Sequence, residues 1–367
     1  MNFLKRNLRL TQYRLQNAIF IFLDGWLILK QPNTAFHINT VFKKLITGLG
    51  IPQQYVCVAL EELSSPLAVT LTFSGEDHTL DVTQRHLFIG YKPLIIAVTL
   101  SSREPQQAFD RADTICLNFH HQPFVANSRW SGFVTDSKAV ARLVLKRIYE
   151  KVLGEDRVLF YEGVQGRHSF ISSWHQFVNR QREKIRPNPV GNVNLPGNLH
   201  DMVRIAYAVP RIIPLITLRE GEKMNMFPTD LHGPVLSKFY ISSLRLNGKA
   251  NSQVDRLKRL ALSYMDVQAF KDVYALGKNH MQELRERALF NCAPHVSKTY
   301  EIPLPREAIR YRELNQTGSF DAGIHRIHFY EQVHEEKLKE GLTLAHIHQY
   351  YAQWRLDHGM PTHLLLR

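Results

Sequence analysis

VPRIIPLITLREGEKMNMFPTDLHGPVLSKFYISSLRLNGKAN, residues 209–251, is the stretch on which the fold turns. Ile212, Ile213, Leu215, Ile216 and Leu218 make a short apolar run that ends at Arg219-Glu220-Gly221-Glu222-Lys223. The run is too short for a helix and is bounded by turn residues, so it reads as a buried strand. Val235 to Leu246 is a second β-rich run, and Asn247-Gly248 after it is a turn signal. Between the two, Asn225 to Gly233 reads as a polar loop joining buried strands, a position suited to holding a ligand's polar groups.

The order of these pieces resembles the flavin reductase family, the FMN-binding split barrels. The matching residues are Leu215-Ile216-Thr217, Gly221, Asn225, Thr229-Asp230, Tyr240-Ile241-Ser242-Ser243 and Lys249-Ala-Asn-Ser252. The resemblance spans roughly residues 198 to 335. It implies that Asn225 and Thr229 lie against the flavin ring and ribityl chain. It also implies that Ser243, Arg245, Lys249 and Ser252, with Asn251 beside them, hold the FMN phosphate. Hydroxyls, cations and the free N–H groups of a helix start together suit an anion. Two departures stand out. Asp230 is a carboxylate where a small hydroxyl residue is expected, and facing a phosphate it would be repelled by about 1 kcal/mol or more. Leu260 to Met265 reads as a continuation of a helix, where the family has a strand.

The whole chain is expected to be α+β: a C-terminal split β-barrel with flanking helices, and an N-terminal α+β part of no recognised family. Gln181 to Asn198, QREKIRPNPVGNVNLPGN, is rich in Pro, Gly and Asn and reads as a linker. It divides the chain into residues 1–180, 181–198 and 199–367. In the first part, Ala18–Lys30, Ala68–Phe73, Arg85–Leu100 and Val158–Tyr161 read as strands. Val140, Leu143, Val144, Ile148 and Val152 have helical spacing behind a Thr135-Asp136 cap, and Ser172–Glu183 reads as a second helix. In the second part, Ser252-x-x-Asp255 has capping-box spacing. Helices are expected from Ser252, over Asn279–Leu289, and from Thr343 with the stripe Leu344, Ile347, Tyr351 and Trp354. Glu301–Ile302 and Gly323–Val333 read as returning strands. The run from Tyr91 to Leu100 with its Ser102-Arg103-Glu104 turn echoes residues 239–252, and raises a second, degenerate barrel; no repeat in register accompanies the echo.

Of 367 residues, 46 are Lys or Arg and 33 are Asp or Glu, a net charge of +13. That excess suits an anionic partner, whether a phosphorylated cofactor or nucleic acid, and equally a solvated basic surface. Cys57, Cys116 and Cys292 are far apart and form no CxxC pair, which excludes a zinc ribbon or dithiol and fits a reducing cytoplasm. The apolar run Ala18–Leu29 is broken by Asp24-Gly25 and is too short to span a bilayer, so no membrane segment is expected. The 18 histidines include His325-Arg-Ile-His328 and His346-Ile-His348, without carboxylates at metal-binding spacing, and no metal is expected. P-loop, GxGxxG and GxSxG motifs are absent.

The resemblance implies an oxidoreductase that moves hydride between a nicotinamide, NADH or NADPH, and FMN, with the barrel paired as a homodimer. The alternative is a degenerate barrel that binds no flavin and uses its basic surface to bind nucleic acid or protein. If 181–198 is a linker, limited proteolysis of the native protein cuts there first; first cuts within Tyr240–Leu276 would place the boundary elsewhere.

Overall fold

A computed structural model of the chain describes residues 55–60, 67–73, 79–101, 109–110, 112–121, 139–170, 176, 193, 195–236 and 238–348. In chain order the strands are β1 (Tyr55–Leu60), β2 (Leu67–Phe73), β3 (Thr79–Asp81), β4 (His86–Tyr91), β5 (Leu94–Leu100), β6 (Thr114–His121), β7 (Ala141–Leu153) and β8 (Asp156–His168). Helix α1 (Asn198–Ala206) follows, then β9 (Arg211–Ile212), β10 (Leu215–Glu220), β11 (Lys223–Pro228), β12 (His232–Leu236) and β13 (Phe239–Arg245). After α2 (Lys249–Leu257) come β14 (Arg259–Met265), α3 (Phe270–Ala275), β15 (Arg285–Glu286), β16 (Cys292–Val296) and β17 (Pro303–Pro305). Two long strands, β18 (Ala308–Ala322) and β19 (His325–Lys337), precede β20 (Thr343–His348). The fold is sheet-rich, with few helices, and every described strand pairing is antiparallel.

Two large sheets carry the structure. The first has seven strands in the order β3-β2-β6-β7-β8-β5-β4, and the second eight in the order β12-β13-β19-β18-β14-β10-β11-β15. A third, small sheet places β20 between β1 and β9. The first sheet encloses Leu71, Leu94, Ile96, Val98, Leu117, Leu143 and Tyr161, closed by Met202, Val203 and Ile205 of α1. The second encloses Ile216, Phe227, Tyr240, Leu262, Leu314 and Tyr330, closed by Val254 of α2. On their other faces the sheets meet in one cluster. Ile89, Ile95, Ala97, Val158 and Phe160 of the first pack with Val235, Ile241, Ile327 and Phe329 of the second.

Several expected helices are strands. Residues 141–153 form β7, in which Ala141, Leu143 and Leu145 are buried while Arg142 and Lys146 are exposed. Two β-bulges, between Val144 and Leu145 and between Arg147 and Tyr149, break that alternation. A period of two with two insertions mimics helical spacing. Leu260–Met265 is β14, buried on both faces, so no alternation shows in its sequence. The strand that seemed to be missing is therefore present. The helix before it stops at Lys258, which takes a left-handed conformation with φ 64°. Thr343 opens β20 rather than a helix, and its neighbours Leu344, Ala345 and Ile347 are buried between two flanking strands. Tyr351 and Trp354 lie outside the described residues. Asn279–Leu289 is split into a 3₁₀ turn (Leu276–Met281), β15 and a second 3₁₀ turn (Arg287–Leu289). Of Ser172–Glu183 only Gln176 is described, and it is helical; Ala18–Lys30 falls outside the described residues.

The N-terminal part was expected to be α+β, and its described residues from Leu67 to Phe170 are mostly strands of the first sheet. Helix α1 lies on β8 because two glycines admit it. A Cβ on Gly163 would meet Leu94 at 2.8 Å and the Met202 sulfur at 2.9 Å; one on Gly166 would meet the Met202 Cγ at 2.7 Å. Asn198 locks the helix start by accepting from the Gly166 N–H (2.7 Å) and donating to its carbonyl (2.8 Å). In the second sheet the buried carboxylate of Glu313 plays an analogous anchoring part. It accepts from Ser297 Oγ (2.7 Å) and from the N–H groups of Thr299 and Tyr300. Gly166→Ala forces α1 off the sheet, so chemical denaturation should show a loss of about 1–3 kcal/mol, the usual cost of overpacking; an unchanged midpoint would mean that α1 does not sit there in solution.

Candidate functional site

β13 ends at Arg245, and α2 begins four residues later behind Gly248. That residue is the N-cap and supplies no side-chain acceptor. The first N–H groups of α2 are therefore not capped by a side chain, and they leave a partial positive charge at this end. Gly248 sits in a tight place: a Cβ would lie 3.2 Å from the Arg245 carbonyl and 3.3 Å from that of His280.

Arg245 is half-buried. Its Nε donates to the Tyr91 hydroxyl, and its guanidinium lies 5.6 Å from the centre of that ring. Ser243, two residues back on the same face, is hydrogen-bonded to His325 Nδ1 at 3.1 Å. The His325 ring meets Tyr91 edge-on, with centroids 4.5 Å apart. Its Nε2 is buried and has no hydrogen-bond partner among the described residues. Burial, reinforced by Arg245, pushes the His325 pKa down to about 4, so the ring is neutral at pH 7. Tyr91, from β4 of the first sheet, thus joins Ser243, Arg245 and His325 of the second in one polar cluster. Neither Tyr91 nor His325 was among the residues expected at a site.

The other expected residues are placed differently. Lys249 is exposed at the start of α2 and paired with Glu283 at 2.7 Å. Ser252 is not the helix cap: it lies within α2, and its hydroxyl donates to the Lys249 carbonyl. Its supposed capping-box partner Asp255 instead accepts from Gln316 (2.8 Å) and Arg326 (2.6 Å). Asn251 is buried, its Oδ1 bonded to His328 Nε2 at 2.8 Å. Asn225 is not in a loop but in β11. Its amide donates to Gln253 Oε1 and to the carbonyls of Asn279 and Gln282, and its Oδ1 accepts from the Met226 N–H. Thr229 is buried, and its N–H donates to the Pro214 carbonyl. The structure thus brings Ser243 and Arg245 together beside the helix that carries Lys249, Asn251 and Ser252. It keeps Asn225 in a separate internal network.

Asp230 has partners of its own. Tyr207 donates to its Oδ2 at 2.6 Å, His346 Nε2 lies 3.0 Å from the same atom, and Arg211 Nε donates to its backbone carbonyl. Burial alone would raise the Asp230 pKa. The bonds and charge from His346, the Tyr207 hydroxyl and Arg211 outweigh burial and hold it well below the usual carboxylate range. This carboxylate is compensated, which removes much of its repulsion toward a nearby anion. Its partners come from two separate segments, Tyr207–Arg211 and the strand that holds His346, and the sequence carries no motif for them.

No family description and no curated protein matches the sequence. Solved structures do resemble part of the chain. An FMN-binding protein from Thermus thermophilus, with bound p-hydroxybenzaldehyde, matches at 18% identity and a TM-score of 0.35, covering 44% of this chain and 90% of its own. An NADH:FAD oxidoreductase of Streptomyces globisporus matches at 14% identity and a TM-score of 0.36, covering 43% and 93%. The flavin reductase component of a bacterial two-component tryptophan halogenase matches at 13% identity and a TM-score of 0.36, covering 41% and 94%. The likeness to flavin reductases and FMN-binding proteins is thus partial, extending over less than half of the chain.

Burial also pushes His86 and His232 down to about 4, and each bonds a backbone carbonyl. The folded state resists protonating these rings, whereas the unfolded chain takes up protons near pH 6.5. Stability should therefore be fully present above pH 6.5 and fall as the pH drops from 6.5 toward 4, by up to about 1.4 kcal/mol per pH unit for each such ring. Urea unfolding at pH 7 and pH 5 measures this. Equal stabilities at the two values would show that the rings are not buried as neutral species.

Proposed function

We propose that the chain is a flavin-binding oxidoreductase on a split-barrel scaffold, with FMN as the cofactor and a nicotinamide as the hydride donor. One observation carries the reading. The half-buried Arg245 stands beside the start of α2, which has no side-chain cap, at the place where the sequence resemblance puts a phosphate. Those donors fit a phosphate. Arg245 supplies a fixed cation, the first N–H groups of α2 supply backbone donors, and Lys249 adds charge at the rim. The compensated Asp230 leaves less opposing field than a bare carboxylate would. Bound flavin supplies the hydride chemistry, so the protein needs to anchor and orient rather than to provide an acid–base pair.

Within that reading, Ser243, Arg245, Lys249, Asn251 and Ser252 are the binding residues to test, Arg245 first. The division of the chain at 181–198 remains a proposal, with α1 beyond it packed on the first sheet. A rival reading, a scaffold without flavin, gains from Asn225, Asn251 and Ser252, whose side chains are bonded within the protein. Absorbance of the purified protein near 370 and 450 nm, approximate flavin bands, separates the two.

Arg245→Ala should weaken FMN at least tenfold, about 1.4 kcal/mol, while riboflavin, which lacks the phosphate, changes little. The comparison removes any general loosening of the site, because loosening would weaken both ligands alike. Equal losses for both ligands, or no FMN binding to the parent protein at about 100 μM, would overturn the reading.

A further inference from the structure

The two large sheets are copies of one another. Read from the β3 edge, the first sheet runs β3-β2-β6-β7-β8-β5-β4. Read from β11, the second runs β11-β10-β14-β18-β19-β13-β12, with β15 beyond β11. Each position pairs the strands that occupy the same place in the chain order of their half. In both halves a 13-residue connection, 101–113 and 246–258, separates the fourth of these strands in chain order from the fifth (β5 to β6, β13 to β14).

The long hairpins match residue by residue at a shift of 169. Both turns are two residues long and open on a glycine in the left-handed region, Gly154 at φ 67° and Gly323 at φ 60°. The bulges of β7–β8, between Val144 and Leu145 and between Arg147 and Tyr149, recur in β18–β19 between Glu313 and Leu314 and between Gln316 and Gly318. Such irregularities are specific features of a lineage rather than noise. The following strands read Arg157-Val-Leu-Phe-Tyr-Glu-Gly-Val164 and Arg326-Ile-His-Phe-Tyr-Glu-Gln-Val333, identical at five of eight positions. One ion pair is kept as well: Arg157 holds Asp110 at 2.8 Å, and Arg326 holds Asp255 at 2.6 Å. Asp110 and Asp255 both lie in the 13-residue connections, each followed by an arginine in sequence.

The copies face each other through the same surface. Ala97, Val158 and Phe160 correspond to Ile241, Ile327 and Phe329, and all six belong to the cluster between the sheets. Phe160 and Phe329, which are equivalent, touch edge-on with centroids 5.7 Å apart. Contact between equivalent residues is the mark of twofold pairing. At the edge, β4 meets its counterpart β12, where a Cβ on Gly233 would meet the Leu87 side chain at 2.5 Å.

We propose that the chain is a duplicated β unit whose copies pair about an internal twofold axis, so that the first unit is the built-in partner of the second, and that only one of the two equivalent junction sites is retained. The retained one is the cluster of Tyr91, Ser243, Arg245 and His325. Strand register gives Thr99 and Asp156 as the counterparts of Ser243 and His325 and, one step further along the chain from β5, Ser101 as that of Arg245. There the cation has become a serine and the neutral imidazole an acid. An anionic ligand fits the first set and is repelled by the second. The assignment of that ligand as FMN rests on the reading above; the duplication and the pairing do not.

The test uses the full chain. Light scattering should give the mass of one chain, and a stable pair of chains would overturn internal pairing. Phe160→Ala and Phe329→Ala should each lower the midpoint of one common urea transition and speed amide exchange in both sheets. A loss confined to the mutated sheet overturns the shared junction, and Phe160→Leu and Phe329→Leu serve if the alanine variants do not fold. FMN titration should saturate at one per chain and weaken at least tenfold with Tyr91→Ala. Two per chain, or no effect of Tyr91→Ala on FMN that does bind, overturns the single junction site. One-chain mass and a shared transition with no FMN binding at all overturn the flavin reading alone and leave the duplication standing.

Discussion

Everything in the described structure depends on the apolar layer between the two sheets, where Ile95, Ala97, Val158 and Phe160 meet Ile241, Ile327 and Phe329. Each sheet has an enclosed face with its own core and a second face that would otherwise meet water. Burying apolar surface stabilises by roughly 25 cal/mol per Å², and two such faces have one economical solution, which is each other. The aromatic contacts across the layer add direction. Tyr149 stacks on Phe320 at 4.1 Å, and Phe160 meets Phe329 edge-on. The cluster of Tyr91, Ser243, Arg245 and His325 exists only because this layer holds β4 against β13 and β19.

The sequence showed some of this and concealed the rest for identifiable reasons. The strand at 215–220 and the turn at Gly221 were readable because turn chemistry bounds a short apolar run. The long hairpins were not. Bulges in β7 turned a period of two into spacings of three and four, and burial on both faces erased alternation from β14. Asn225 looked like a loop residue because Asn is rare inside strands, yet here Gln253 and two carbonyls satisfy its amide.

The candidate site was half legible. Ser243 and Arg245 were found from their strand and the turn after it. Tyr91 and His325 reach them from far away in sequence, and a linear reading has no way to bring them in. The repeated Arg-x-x-Phe-Tyr-Glu-x-Val, at 157–164 and 326–333, was the missed signal. It pairs the strands whose equivalence explains the rest. The echo between 91–100 and 239–252 falls on β5 and β13, which hold the same place in the two sheet orders.

β20 is among the strands without a counterpart. β20 lies between β1 and β9, pairing Cys57 with His346 on one side and His346 with Arg211 on the other. β1 and β9 precede their respective sheets, so both are made long before the strand that joins them. On the ribosome each presents an open edge, of the kind that invites pairing with another chain, until residues 343–348 emerge. Until then the two sheets can form while their common seam stays open.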